Sequence, residues 1–457
     1  MSDFHAAYPQ YAATTVLDDL RGSEYGYLDE AGHVYLDYAG AGLPSRAQLR
    51  VHAARVHSTC YGSPRSEHPA AMTSARLIEH TRRTVLRFFG TTADEYAVIF
   101  TPNATGACRL VGEAYPFHRS SRLVLTADNH SSVTGIREFA RAGGARITYV
   151  PVTGPELRTA EADLDRALAP GPGVRTGLFA YPAQSNFSGV RHPLRWVPRA
   201  QAAGYDVLLD AAAFVPTSRL DLTVVRPEFV AVSWYKVFGY PTGVGCLLAR
   251  RDALPRLRRP WFSGGTTRGA SVRGDWHQPL DGAAGFEDGT VNYLSIPDVA
   301  AGLEWIAGVG PELITLRVSI LTNWLLDSLS GLKHGNGVPM ARIHGPAGGA
   351  ARGAIVAFSL LDPDGRPVDE RLVSRDAAAA GISLRTGCFS NPGAGEAALE
   401  PGGRPARPGP QQPGLQQPGA VRASFGVAST LADTEALLDF AERVYRDRYA
   451  VPPGTRC

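Results

Sequence analysis

Seven short, mostly apolar runs recur through the middle of the chain: AVIFT (97–101), RLVLTA (122–127), ARITYVPV (145–152), GLFAYP (177–182), YDVLL (205–209), EFVAVSW (228–234) and VGCLLA (244–249). Each is strand-length, and between several of them the spacing turns helical, as in Ala107, Leu110, Val111 and Ala114. Continuous apolar strands separated by helices require a sheet covered on both faces, largely parallel. This predicts a large α/β domain over 46–296. After about Pro297 the texture changes to a long helical stretch ending at Leu329, strands at 353–361, 382–387 and 421–426, and a closing helix with Thr430 and Asp433 spaced as a capping pair. That reads as a smaller α+β domain over 297–457. Residues 1–45, a short helical segment and then YLDYAGAGLPS (35–45), are expected to pack with it. The stretch 391–420, rich in Pro, Gly and Gln, is expected to be a mobile loop inside the small domain.

One of these runs ends strangely. EFVAVSWYKVFG (228–239) carries Lys236 at the end of an apolar strand, beside Ser233 and Tyr235. A lone lysine there usually snorkels to water. Burying the ammonium instead lowers its pKa and yields an amine nucleophile for a carbonyl, which is Schiff-base chemistry. The earlier run YDVLL closes on Asp210, followed by the small residues Ala211 to Ala213. An aspartate closing one buried strand and a lysine closing a later one form the pair that pyridoxal phosphate needs: a carboxylate for the pyridine nitrogen and an amine for the aldehyde. The run AVIFT leads through Pro102-Asn103-Ala104-Thr105-Gly106 into a helix, whose free N–H groups and dipole suit a phosphate. His130, in TADNHSSV, reads by itself as a solvated loop histidine; with Lys236 and Asp210 in the same sheet it becomes a candidate to stack on a cofactor ring.

Composition narrows the partners. Charged residues make up 19%, hydrophobic residues 44%, and the net charge is +3, with no basic stripe interleaved with aromatics, so nucleic acid is not expected. No stretch has the length and apolarity of a membrane span, and the N-terminus lacks a leader pattern, so a cytoplasmic protein is expected. The five cysteines (Cys60, Cys108, Cys246, Cys388, Cys457) are odd in number and have no CxxC spacing, which argues against zinc, iron–sulfur clusters and a disulfide framework.

In order, the motifs YLDYAGAG, YGSPRS, FTPNATGA, YPAQSNFSG, LLDAAA, SWYKVFGYPTGVG, FEDGT, LRTGCF and VRASFG resemble the class V aminotransferase family of pyridoxal-phosphate enzymes, fold type I, and within it the cysteine-desulfurase-like domain of molybdenum cofactor sulfurases. The resemblance implies Lys236 as Schiff-base lysine, Asp210 on the pyridine nitrogen, His130 stacked on the ring and Asn186 on the phenolic oxygen. It further implies Ala104, Thr105, Ser233 and Tyr235 at the phosphate, Thr290 reaching the partner's phosphate in a homodimer, and Arg422 on the substrate carboxylate. Three departures stand out. Where the sulfurases carry the persulfide-forming cysteine this chain has Ser390, keeping only Cys388 two positions upstream, so Cys388 is the remaining candidate nucleophile if the loop is extended. Tyr38 stands where a histidine is usual, at the substrate pocket. The sequence stops at Cys457 without the sulfurases' further domain, so sulfuration of the molybdenum cofactor is not expected. The expected function is C–S cleavage of L-cysteine or a cysteine S-conjugate, by β-elimination or desulfuration. The alternatives are an aminotransferase, epimerase or decarboxylase-like tailoring enzyme, and a non-catalytic sulfur carrier or scaffold.

Overall fold

The computed structural model describes residues 4–169, 176–399 and 419–449. The first strand, β1 (Val34–Tyr35), is only two residues long and joins a sheet far from its neighbours in sequence. The apolar runs then become β2 (Tyr96–Thr101), β3 (Ser121–Thr126), β4 (Arg146–Val150), β5 (Thr176–Pro182), β6 (Tyr205–Asp210), β7 (Phe229–Ser233) and β8 (Gly245–Arg250). They form one sheet in the order β2-β8-β7-β6-β5-β3-β4, parallel except for β8, which runs antiparallel to both neighbours. Alternate side chains enter two different cores, as a period-2 strand must if both faces are covered. Val207, Leu209, Val230 and Val232 belong to one cluster, and Leu208, Phe229 and Ala231 to the other. The edge strand β4 leaves Arg146 and Tyr149 exposed, so its register is set by pairing with β3 rather than by burial.

A hairpin, β9 (Thr267–Ser271) and β10 (Trp276–Pro279), was not readable in the sequence because neither strand buries a face and so neither shows hydrophobic alternation. The long helical stretch is two helices, Ile296–Val309 and Pro311–Gly331, bent by 71° where Gly310 takes φ 96° ahead of Pro311. Among the described residues no single helix is long and apolar enough to cross a membrane.

The remaining strands follow: β11 (Ala341–His344), β12 (Ile355–Leu360), β13 (Ile382–Ser383), β14 (Arg385–Gly387) and β15 (Ala420–Ser424). Strands β11-β12-β15-β14 are antiparallel, while β13 pairs in parallel with β1. The N-terminal segment meets the four-stranded sheet through a bridge from Asp37 to Ser424 of β15, and it is clamped further by two buried arginines. Arg317 holds Asp18 at 2.7 Å, and Arg21 holds Asp433 at 3.0 Å. The closing helix, Leu431–Tyr445, starts on the capping box of Thr430 and Asp433.

The expected mobile loop differs in its first part. Pro392–Leu399 is a helix, with Asn391 Oδ1 accepting the Ala394 N–H at 3.2 Å and Ala394 buried against Phe187 and Phe389. Alanine and glutamate supply helix propensity in GAGEAAL that the surrounding Pro and Gly content hides. Residues 400–418 of that loop lie outside the described residues, and its last residue, Ala420, is buried at the start of a strand.

Candidate active site

Every sequence-derived cofactor contact except Thr290 lies at, or just beyond, one end of the large sheet. The carboxyl ends of β3, β5, β6 and β7 lead to His130, Asn186, Asp210 and Lys236. Beyond the end of β2 the turn 102–103 opens the helix Ala104–Ala114. Ligands of open α/β sheets bind at this end because the loops there diverge and helix N-termini point into the gap.

Lys236 does not close a strand. β7 stops at Ser233, and the lysine sits in a one-turn helix, Trp234–Phe238. Gly239 ends that turn at φ 75°, and a Cβ there would lie 2.3 Å from the Leu43 carbonyl carbon, so only glycine lets the turn 42–44 pack against the lysine's helix. Gly42 N–H also donates to the Tyr235 carbonyl at 2.9 Å. Lys236 lines a cavity of about 180 Å³ with His130, Asn186, Tyr235, Ser390 and Arg422. It makes no hydrogen bond or ion pair among the described residues. Burial pushes its pKa down, and Arg422 and Arg385 push the same way, against the pull of Asp210 and Asp37. The amine is therefore held toward its neutral, nucleophilic form.

The surrounding groups are fixed in turn. Asp210 is buried, with Oδ1 accepting the Ala212 N–H at 3.0 Å. No second hydrogen bond to its carboxylate exists among the described residues, so one oxygen is left for a ligand. His130 Nδ1 accepts the Ser132 N–H at 3.1 Å, which places the proton of the neutral ring on Nε2. Burial lowers the His130 pKa, keeping the ring neutral and suited to stacking. The Thr105 hydroxyl meets Ser132 Oγ at 2.7 Å, and Ser233 Oγ accepts the Ala104 N–H at 2.8 Å, tying the end of β7 to the helix N-terminus. The phenol of Tyr235, half-buried in the cavity wall, is raised in pKa by burial and so stays a hydrogen-bond donor.

Asn186 is more committed than expected. Its Nδ2 donates to the Phe389 carbonyl at 2.8 Å and its Oδ1 accepts from Asn391 Nδ2 at 2.9 Å, leaving one N–H for a cofactor oxygen. The loop it holds is not extended. Phe389 and Ser390 both have φ 54°, two consecutive non-glycine residues in the left-handed region, each costing about 1–3 kcal/mol. The Ser390 carbonyl accepts from the Ser131 N–H at 2.7 Å and from its hydroxyl at 2.9 Å, which holds the turn in place. Because the loop turns rather than extends, positions 388 and 390 do not face the same way. Ser390 lines the cavity; Cys388 is not among its lining residues and lies beside Gly395, where an added Cβ would be 3.5 Å from its own.

Two further assignments fall elsewhere. Tyr38 lines a cavity of about 20 Å³ that shares Lys236 and Ala39 with the larger one, facing Pro216, Phe425 and Val427. Thr290 is exposed and lines a separate groove of about 380 Å³ with Thr101, Gly106, Arg109 and Trp261.

A family model described as "Aminotransferase class-V" matches residues 34–437, which takes in the whole cavity. The chain belongs to the class-V aminotransferase family. This class-V chain is 37% identical to molybdenum cofactor sulfurase of Homo sapiens over 93% of its own length and 51% of that protein's. It thus spans about half the length of the curated relatives it matches. The class-V fold is shared with the apo cysteine desulfurase of Thermococcus onnurineus NA1 (TM-score 0.79, 21% identity, 94% of this chain and 98% of that one). It is shared also with the cystine C–S lyase C-DES in complex with its product cysteine persulfide (TM-score 0.70, 19% identity, 90% of this chain and 98% of that one).

The class-V cofactor is pyridoxal phosphate, and this cleft fits it on its own geometry. An unpaired, deprotonation-prone lysine, an aspartate with a spare oxygen and a neutral histidine ring converge beside a helix N-terminus. Asp37 and Arg385 were not singled out from the sequence, yet both touch this site: Asp37 binds Arg422 at 2.9 Å and Arg385 at 2.7 Å. Asp37 lies in the motif YLDYAGAG, but its partners are 348 and 385 residues away, a distance no local pattern bridges.

Proposed function

We propose that this protein cleaves the C–S bond of L-cysteine or a cysteine S-conjugate by β-elimination, as a cytoplasmic homodimer. The observation that carries the reading is the unpaired Lys236 in a cavity that also presents Arg422 and Ser390. In this reading Lys236 holds the cofactor aldehyde, Asp210 the pyridine nitrogen, and His130 covers the ring. Thr105, Ser233, Tyr235 and the helix N-terminus at Ala104 hold the phosphate, and Asn186 offers its remaining N–H to the phenolic oxygen. Bound pyridoxal phosphate supplies an electron sink for bonds broken at the substrate's α-carbon.

The chain's own groups do the rest. Arg422, buried and stacked 4.8 Å over the Phe389 ring, orients the substrate carboxylate. With pyridoxal phosphate bound and its aldehyde engaged by the substrate amine, Lys236 Nζ would be the free base of the cavity and would take the α-proton. The C–S bond then breaks toward sulfur, which leaves as thiolate, and the carbon skeleton ends as pyruvate and ammonia after hydrolysis. Sulfide or thiol released in equal amount with pyruvate, assayed across a panel of cysteine S-conjugates, is the expected result. Release of neither from any of them refutes the reading.

Asp210→Asn is expected to retain cofactor while losing turnover by about 10²-fold or more, because a neutral amide no longer keeps the pyridine protonated. Near-normal turnover in a variant carrying a full complement of cofactor is the contrary result.

The dimer rests on a surface. Thr290 borders the groove of about 380 Å³, and the exposed aromatic residues Trp261, Phe262 and Trp276 lie in the neighbouring segment. Exposed aromatics along one stretch of chain fit burial against a second copy. If Thr290 completes the partner's phosphate site, dimerisation and cofactor affinity are linked, and Thr290→Ala weakens both. Sedimentation of the loaded protein as a monomer at micromolar concentration overturns this.

A further inference from the structure

The carboxylate of Asp37 forks between two guanidiniums. Oδ1 accepts from Arg422 Nη2 at 2.9 Å and Oδ2 from Arg385 Nη2 at 2.7 Å. The two arginines are register partners on β15 and β14, and like charges placed directly opposite on neighbouring strands repel. Asp37 is the group that neutralises them. The room for this clasp is built into the backbone: a Cβ at Gly40 would lie 2.5 Å from both Arg385 Nη2 and Asp37 Oδ2.

Both arginines line the cavity with Lys236, while Asp37 stands behind them with 13% of its side chain exposed. The Arg422 side chain is 3% exposed, and its Nη1 is given to the Asn186 carbonyl at 2.9 Å. Its Nε is buried with no partner among the described residues. A carboxylate arriving on Arg422 can take that orphaned Nε–H and, to bind in two-pronged fashion, the second N–H of the same Nη2 that Asp37 holds, which sets two carboxylates against one nitrogen and makes them repel. Arg385, half-exposed, stays available to keep Asp37 when Arg422 is given up.

We propose that Asp37 is an internal stand-in for the substrate carboxylate: it holds Arg422 and Arg385 together in the ligand-free protein and yields Arg422, while keeping Arg385, when the carboxylate arrives. This rests on the reading of Arg422 as the carboxylate site. It also sets a specificity. Two guanidiniums against Asp37 leave a single positive charge, so the pair takes one carboxylate and disfavours an amino acid that brings a second anionic group to the same place.

The test uses the cofactor-loaded protein with propionate, which carries the carboxylate but no amine, and with succinate. Binding is read both as inhibition of L-cysteine turnover and as the ligand-dependent rise in melting temperature. Asp37→Asn is expected to bind propionate about tenfold more tightly, since the internal competitor has lost its charge, and to gain still more for succinate. Arg385→Gln is expected to bind propionate more weakly, because Asp37 then remains on Arg422. Loss of propionate binding in Arg422→Gln, with Asp37→Asn and Arg385→Gln both unchanged, overturns the role of Asp37 and leaves the carboxylate site standing. Unchanged binding in Arg422→Gln overturns both. Should Asp37→Asn fail to fold, Arg385→Gln decides alone: weaker propionate binding supports the exchange, and unchanged or tighter binding refutes it.

Discussion

Lys236→Ala abolishes turnover, by more than about 10³-fold, and abolishes the yellow colour of the lysine-bound cofactor, because one side chain both anchors the aldehyde and moves the α-proton. No other lysine lines the cavity to take over either task. A borohydride-reducible covalent adduct in the variant would falsify the assignment. The depressed pKa adds a signature. Only the neutral amine attacks an aldehyde, so cofactor uptake by the apo-protein should rise with pH through a midpoint below the ordinary lysine value of about 10.4. Burial, Arg422 and Arg385 all disfavour the ammonium, whereas Asp210 and Asp37 favour it. Removing the charge of Asp210 therefore moves the midpoint further down, and an upward shift in Asp210→Asn contradicts this electrostatic account.

How far the sequence could carry the fold is clearest in the sheet. The strands β2 to β8 were legible because burial on both faces, β4 excepted, writes a continuous apolar run, and their ends fell within one or two residues of the runs. The hairpin of β9 and β10 has no buried face and therefore leaves no such trace. Lys236 and Asp210 were legible because a charged residue stands out at the end of an apolar run, although Lys236 itself lies in the one-turn helix that follows β7. The placement of Cys388 was not. It depends on two consecutive left-handed residues, Phe389 and Ser390, held by Ser131 and Asn186, which come from loops more than 200 residues away. The clasp of Asp37 on Arg385 and Arg422 escaped for the same reason: each residue is ordinary in its own stretch, and only the pairing of β14 with β15 brings the charges together.

That turned loop sets the expectation for what leaves the enzyme. In a desulfurase a cysteine thiolate attacks the substrate sulfur: a new S–S bond forms, the S–Cβ bond breaks, and its electron pair stays on carbon, which is protonated to give alanine. In elimination the pair leaves with sulfur, and pyruvate and ammonia remain. The position that faces the cavity carries Ser390, whose hydroxyl is a poor acceptor for sulfane sulfur, while Cys388 lies outside the lining on the side of Gly395. Incubation with L-cysteine is thus expected to give pyruvate, ammonia and sulfide in equal amounts, and Cys388→Ser should keep turnover within about twofold, since it removes no group from the cavity. Ser390→Cys is the constructive counterpart: a thiol placed there should divert sulfur onto the protein, so that a persulfide accumulates at position 390 and alanine appears at the expense of pyruvate. Alanine as the main product of the unaltered protein, with a persulfide on Cys388 that disappears in Cys388→Ser, would show that the loop opens far enough to bring Cys388 to the substrate and would replace elimination with desulfuration.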